Sequence, residues 1–521
     1  MRSERAEDTV VEIRYRITAN DLRITRGKHS RRPLLHKTNE INESWLSTVI
    51  LLSYDIEYGT PILVIHEREF RSIRKTSTQL FPHLVAGDPV PGALVEAVVS
   101  LLHKKGDPSN IGNFRPISLL TVTLKSITRV ILKRVETSLD DSESLTQTGF
   151  RKGFSTLDNL HAIKQLAERT HEYGMPLYLG CVDFKNAFDC VEWNAVWHAL
   201  CTFGVHPTLI DLLRRLYESS STLIRVNEDL VPVSVKRGVR QGDTLSPRLF
   251  NAVLRSAMDD IDWETCGIRI DGRHLSHLEY ADDVALVAKS RPELEMLRKL
   301  MEACARVGLE VNASKTVLLT SCSTTRAPIT IDGQVFKFVE FTTYLGGRIS
   351  LPLNPSEEVE YRIRLGWAAW SKLHHLLASR ILPMKTKRRL FDSCILPTVL
   401  YGSEVWALRS SDKERLNVTL RKMERRMIGV TLLDRMRNER LREITQIRDW
   451  NKEALKRKAK WALKIRRMEI NHWTRATTMW TPYNWKRPQG HPNTRWRDDL
   501  KRAIGPQWWN ATNEEFRPIL I

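Results

Sequence analysis

Residues 277–290, HLEYADDVALVAKS, set two carboxylates inside an apolar run, and no other stretch constrains the fold as tightly. Leu278, Tyr280, Ala281, Val284, Ala285, Leu286 and Val287 read as two short strands joined by a tight turn. Asp suits such a turn, so Asp282 and Asp283 are open to a plain reading as hairpin chemistry. Against that reading, adjacent carboxylates repel. Apolar walls also make ionised groups costly unless a cation pairs with them.

A third acid stands about a hundred residues earlier. PLYLGCVDF (176–184) reads as a buried strand that delivers Asp183, and Asp189, six residues on, reads as a helix cap. Three carboxylates carried on two strands can hold two divalent cations about 3.5–4 Å apart, an arrangement that serves in-line phosphoryl transfer. One cation activates an attacking 3′-hydroxyl and the other neutralises a leaving pyrophosphate. Oxygen donors without sulfur or imidazole favour Mg2+, with Mn2+ as the alternative.

The bulk charge agrees with such a substrate. Lys and Arg number 81 against 61 acids, a net charge of +20, while the hydrophobic fraction of 42% is that of an ordinary globular core. The excess points to a polyanionic partner, most simply nucleic acid. No membrane attachment is expected: the start lacks an apolar signal segment, and TVILLSYDIEY is interrupted by Asp55 and Glu57. The seven cysteines (181, 190, 201, 266, 304, 322 and 394) form no CxxC pair, which excludes an evident zinc knuckle. Their scatter suits a reducing compartment, so an intracellular location, nuclear or cytoplasmic, is expected.

Helical periodicity marks Leu157, Leu160, Ile163 and Leu166 after Ser155, and Trp193, Val196, Trp197 and Leu200 before Gly204. TLIRVNEDLVPVSV alternates as a hairpin turned at Asn227 to Asp229. SRPELEMLRKLMEACARVG reads as a helix with a Ser290–Glu293 capping box. Ser411 and Asp412 can cap a helix with Leu416, Leu420, Met423 and Met427 on one face. Beyond residue 430 the chain is basic and aromatic, with eight of its fifteen tryptophans at or after Trp450. There Lys456, Lys460, Lys464 and Arg467 recur at roughly helical spacing, and Trp461 and Trp473 offer stacking surfaces for single-stranded nucleic acid. The competing reading is a solvated basic helix whose tryptophans pack inward. The fold class is α+β, with helical modules appended at the C-terminal end.

VDFKNAFD (182–189), GVRQGDTLSPRLFN (238–251) and YADDVALV (280–287), in this order, resemble the palm motifs of reverse transcriptases. The similarity is to those of non-LTR (LINE-type, RTE-like) retrotransposons. HKKGDPSNIGNFRPISLL, QTGFRKGFSTLDNL, GLEVNASKT and FTTYLGG fall where that family has its fingers motifs, lysine motif and primer-grip hairpin. A weaker resemblance runs from ITQIRDW to GHPNTRWRDD. The resemblance implies a right-hand polymerase: fingers over 86–175, palm over 176–350, a thumb-like helical region over 351–430 and a basic Trp-rich region over 431–521. Residues 1–85 stay unassigned. No endonuclease is recognisable there, so that activity would come from elsewhere.

It also implies roles. Asp183, Asp282 and Asp283 would ligate the metals, and Phe188 would be the steric gate against a 2′-hydroxyl. Gln241 and Gly242 would border the nascent base pair, Arg115 would contact nucleotide phosphates, and Lys315 would help protonate pyrophosphate. Tyr344, Leu345 and Gly346 would support the primer. The implied activity is extension of a DNA primer with dNTPs on an RNA template. Four departures stand out: Phe154 replaces an arginine of the fingers, Asn186 a lysine, Cys190 a small hydroxyl residue and His491 an arginine of the tail motif. The rivals are an inactive nucleic-acid-binding relic and an RNA-dependent RNA polymerase. All three acids being present argues against the first, and Phe188 against the second.

Overall fold

The computed structural model describes residues 10–15, 22–24, 52–54, 61–104, 106–226, 229–322, 326–490 and 493–520; Asn227 and His491 lie outside the described residues. At its centre is a six-stranded sheet, in the order His277–Tyr280, Asp283–Ala288, Tyr178–Val182, Val317–Thr320, Gln334–Phe338, Ile329–Ile331. Its neighbours are antiparallel apart from the parallel pair Val317–Thr320 and Gln334–Phe338. Side chains alternate across a strand, so these strands feed two cores. Val182, Val284, Leu286 and Leu318 belong to one, and Leu179, Ala285, Val287 and Leu319 to the other.

The first core is covered by helices Val122–Ser142, Trp193–Thr202, Pro207–Glu218, Ser246–Asp259 and Met296–Arg306. A second sheet stands beside it, ordered Phe114–Leu120, Ala97–His103, Thr222–Val226, Asp229–Val233, with the expected hairpin forming its last two strands. Helices Pro355–Leu377 and Ser410–Ile428 make a separate helical core around Trp370, Phe391 and Trp450. The face Leu416, Leu420, Met423 and Met427 is buried there, as its spacing predicts. Residues 10–66, where the sequence shows no clear periodic element, contain an antiparallel four-stranded sheet, and helix Glu67–Ala86 follows it.

Two expectations are corrected. The C-terminal region is no appendage. Helix Thr156–Glu172 lies against the second face of the central sheet, and helices Trp450–Arg467, Trp473–Met479, Asp498–Ile504 and Asn513–Leu520 share its core. That helix is covered almost all round, from Asp158 to Thr170, because the tail's tryptophans close over it. The Ser290–Glu293 capping box is also absent. Pro292 starts a single 3-10 turn, Pro292–Glu295, and Glu293 Oε2 accepts from the Lys289 N–H at 2.9 Å instead. Among the described residues no helix is long and apolar enough to cross a membrane.

Candidate active site

Strand register assembles the acids. Val182 and Val284 are cross-strand partners, so the residues next to them, Asp183 and Asp283, end on the same sheet edge. Tyr280 pairs with Asp283, which leaves Ala281 and Asp282 as a two-residue turn. Ala281 adopts φ 54°, a left-handed conformation that costs a non-glycine residue roughly 1–2 kcal/mol. Asp183 is clipped from behind by the NASKT segment: its N–H donates to Thr316 Oγ1 at 3.1 Å, and its carbonyl accepts from the Asn312 N–H at 2.7 Å. Lys315, in the same segment, places Nζ 3.7 Å from Asp183 Oδ2.

Crowding and burial raise the proton affinity of Asp282 and Asp283. Burial, then the charge of Asp183, lifts Asp282 above the usual carboxylate range, while Arg115 and Lys104 oppose the shift. Asp283 moves the same way, from burial and from the charges of Asp282 and Asp183. By surface area Asp283 is exposed, so water screens part of that effect, and the direction rests on three carboxylates sharing one edge. Asp183 Oδ2 is sealed from solvent and has no hydrogen-bond partner among the described residues. A carboxylate oxygen with no hydrogen bond, its nearest recorded cation being Lys315 Nζ at 3.7 Å, in an all-oxygen donor set fits a hard divalent cation. Among the described residues no group of three or more His, Cys, Asp or Glu side chains is gathered closely enough to hold a metal ion by itself. Mg2+ sites typically take one or two carboxylates and complete their shell with substrate phosphates and water.

The surrounding motifs are laced together. The Ser118 N–H, on the strand that carries Arg115, donates to the Gln241 carbonyl at 2.7 Å. Gly242, at φ 113°, passes so close that a Cβ would lie 2.7 Å from the Ser118 carbonyl oxygen, which requires glycine. Asp189 is not a helix cap; Asn186, at φ 44°, occupies that position. Its short side chain tolerates a left-handed turn, and Asp189 is freed to accept from Gln241 Nε2 at 2.7 Å. The Phe188 ring stacks on Phe250 with centroids 4.6 Å apart and meets Phe150 edge-on at 6.5 Å. Behind the acids, Tyr344 is buried, with its hydroxyl 3.4 Å from the Asp283 carbonyl it donates to. Leu345 and Gly346 form the hairpin's turn, both with positive φ, and the Leu345 carbonyl accepts from the Tyr401 hydroxyl at 2.9 Å.

The tail residues part company. Trp461 and Trp473 are 4% and 7% exposed and belong to the core, so neither is a stacking surface. Trp461 Nε1 donates to His161 Nδ1 at 3.2 Å. Lys464 donates to the Gly153 carbonyl at 2.8 Å, Lys456 is half-buried, and Lys460 and Arg467 are exposed. Phe154, in place of an arginine, stacks on His472 of the tail at 4.9 Å. Sequence reasoning overlooked Lys104, whose charge acts on both Asp282 and Asp189. The adjoining basic pair in HKKGD was its only signal.

Comparison with known proteins bears on this geometry. Residues 102–361 match the family model described as reverse transcriptase (RNA-dependent DNA polymerase). A transposon-derived protein of Caenorhabditis elegans is 34% identical over 246 residues, 46% of this chain and 88% of the relative. The RNA-directed DNA polymerase from mobile element jockey of Drosophila melanogaster is 25% identical over 67% of this chain and 39% of its own length. The Pol polyprotein of the type-2 retrotransposable element R2DM from the same fly is 28% identical over 39% of this chain and 19% of its own length. Against these last two the chain spans well under half of the relative. The α+β arrangement is that of a right-hand polymerase, and the chain belongs to the reverse transcriptase family, alongside the polymerases of non-LTR retrotransposons.

Proposed function

We propose that this chain extends a DNA primer with deoxynucleotides on an RNA template. The observation that carries the reading is the register that sets Asp183 and Asp283 on one sheet edge, with Asp282 in the adjoining turn. Asp183, Asp282 and Asp283 would hold divalent cations, best Mg2+ or Mn2+, which supply activation of the 3′-hydroxyl and neutralisation of the leaving group. Arg115 and Lys104, whose charges already act on Asp282, offset the triphosphate's negative charge as it enters. Gln241, fixed by Asp189, offers a rigid border to the nascent pair. Lys315, at the edge of the acid cluster, holds a proton for the departing pyrophosphate. Fingers over 86–175, palm over 176–350, a thumb over 351–430 and primer support by Tyr344, Leu345 and Gly346 complete the assignment.

The test is primer extension on an RNA template, comparing deoxynucleotides with ribonucleotides, with and without Mg2+. Deoxynucleotide-dependent, Mg2+-dependent extension is expected. Asp282→Asn should abolish it while leaving primer–template affinity unchanged. Extension by Asp282→Asn at near the wild-type rate would remove the metal assignment, and preference for ribonucleotides would favour the RNA polymerase reading.

A further inference from the structure

The turn that carries Asp282 is held from outside the hairpin. Ala281 is 3% exposed, so its N–H needs a protein partner, and φ 54° is a conformation alanine does not hold unaided. The partner is Gln147, itself 1% exposed, whose Oε1 accepts from the Ala281 N–H at 2.8 Å. The same oxygen accepts from the Gly149 N–H at 2.8 Å, and Gln147 Nε2 donates to Glu279 Oε2 at 3.2 Å. Backbone hydrogen bonds run alongside: the Thr148 N–H donates to the Glu279 carbonyl, and the Glu279 N–H donates to the Thr146 carbonyl, both at 2.9 Å. Residues 146–149 thus lie against the acid hairpin like an added strand. The approach is so close that a Cβ on Gly149 would sit 2.3 Å from the Ala281 nitrogen. Among the described residues no other polar side chain meets that N–H.

We propose that Gln147 is a positioning residue of the polymerase, holding Ala281 in the left-handed conformation that aims Asp282 at the metal site. The inference rests on the metal assignment made above. Withdrawing the acceptor leaves a buried N–H unpaired and lets the turn relax, which moves the Asp282 carboxylate without touching any nucleic-acid contact. Gln147→Met has nearly the same volume and no acceptor oxygen.

The measurement is Mn2+ affinity of the full chain on primer–template, read by electron paramagnetic resonance, with primer–template affinity measured in parallel. Gln147→Met should weaken Mn2+ binding at least fivefold and shift the primer–template Kd by less than twofold. The exchange Gln147→Glu with Glu279→Gln preserves the side-chain pairing and should return Mn2+ affinity to within twofold of wild type. Should Gln147→Met not fold, Gln147→Asn, whose amide is drawn back by one methylene, carries the same expectation. Unchanged Mn2+ affinity in the folded variant, or an exchange no better than the single change, overturns the proposal. A wild type that binds Mn2+ with these dependences yet does not extend a primer counts against the proposed activity alone.

Discussion

Phe188 is where a single ring has two candidate duties. Stacked on Phe250 and met edge-on by Phe150, it has little freedom to rotate, which suits a rigid gate and a core aromatic alike. Kinetics separates them. If the ring excludes a 2′-oxygen by overlap, Phe188→Val should lower the deoxynucleotide-to-ribonucleotide ratio of kcat/KM by roughly ten- to a hundredfold. A lower melting temperature with an unchanged ratio would leave Phe188 a packing residue. Asp189 teaches the complementary lesson. An acid at a helix start is usually a cap, and nothing local in FKNAFD reveals that its partner is Gln241, 52 positions away. That Asp183, Asp282 and Asp283 come together was legible because each follows or interrupts an apolar strand. Gln147 was not, because a polar residue in a short irregular segment carries no periodic signal of its own.

At the scale of elements, the strand Tyr178–Val182, the acid hairpin and the helix face from Leu416 to Met427 were all readable from periodicity, since each is a regular element with one buried face or two. Helix Thr156–Glu172 was readable as a helix, but its environment was not. Its polar residues His161, Gln165 and Arg169 suggest a wet face, yet all three are buried, His161 and Arg169 against the tail. Glu168, on the same helix, accepts from the Trp496 N–H at 2.7 Å, and burial pushes its carboxyl up to about 7 against the pull of that hydrogen bond and of Arg169. A carboxyl whose folded pKa exceeds its unfolded value favours the fold below the unfolded pKa and loses that advantage as pH rises through the folded one. Stability should therefore fall between about pH 4.5 and 7, by on the order of 1–3 kcal/mol from this group. Glu168→Gln should flatten that part of a melting-temperature profile; a profile identical to wild type would mean that Glu168 ionises freely in the fold. In the loop after Val239, Gly242→Ala should cut kcat/KM for extension at least tenfold, because its Cβ meets the Ser118 carbonyl oxygen rather than a yielding side chain. Wild-type efficiency in that variant would show that the two motifs need not touch.

The molecule as a whole depends on its C-terminal region in a way that its composition conceals. Basic residues and tryptophans in alternation read as a nucleic-acid arm, yet Trp461, Trp496 and Phe516 are 4%, 1% and 0% exposed. Losing one large buried aromatic costs about 3–5 kcal/mol, and a whole domain has only about 5–15 kcal/mol to lose. Removal of residues 451–521 should thus yield insoluble or unfolded protein; a folded, monodisperse truncation would show that the second core stands without the tail. The electrostatic contribution has to be sought at exposed cations instead. Replacing Lys460 and Arg467 with Gln should reduce the slope of log affinity against log salt by roughly 0.7 for each single-strand phosphate that is no longer neutralised, while the fold persists. An unchanged slope would confine both to solubility. The distance along the chain between the helix Thr156–Glu172 and the residues that cover it also sets a timetable for synthesis. A ribosome adding roughly 5–20 residues each second leaves an interval on the order of tens of seconds between that helix and Trp496. Through that interval the nascent chain would display the apolar underside of its central sheet, the kind of surface that chaperones cover. The core on that face closes only after Trp496 and Phe516 have emerged.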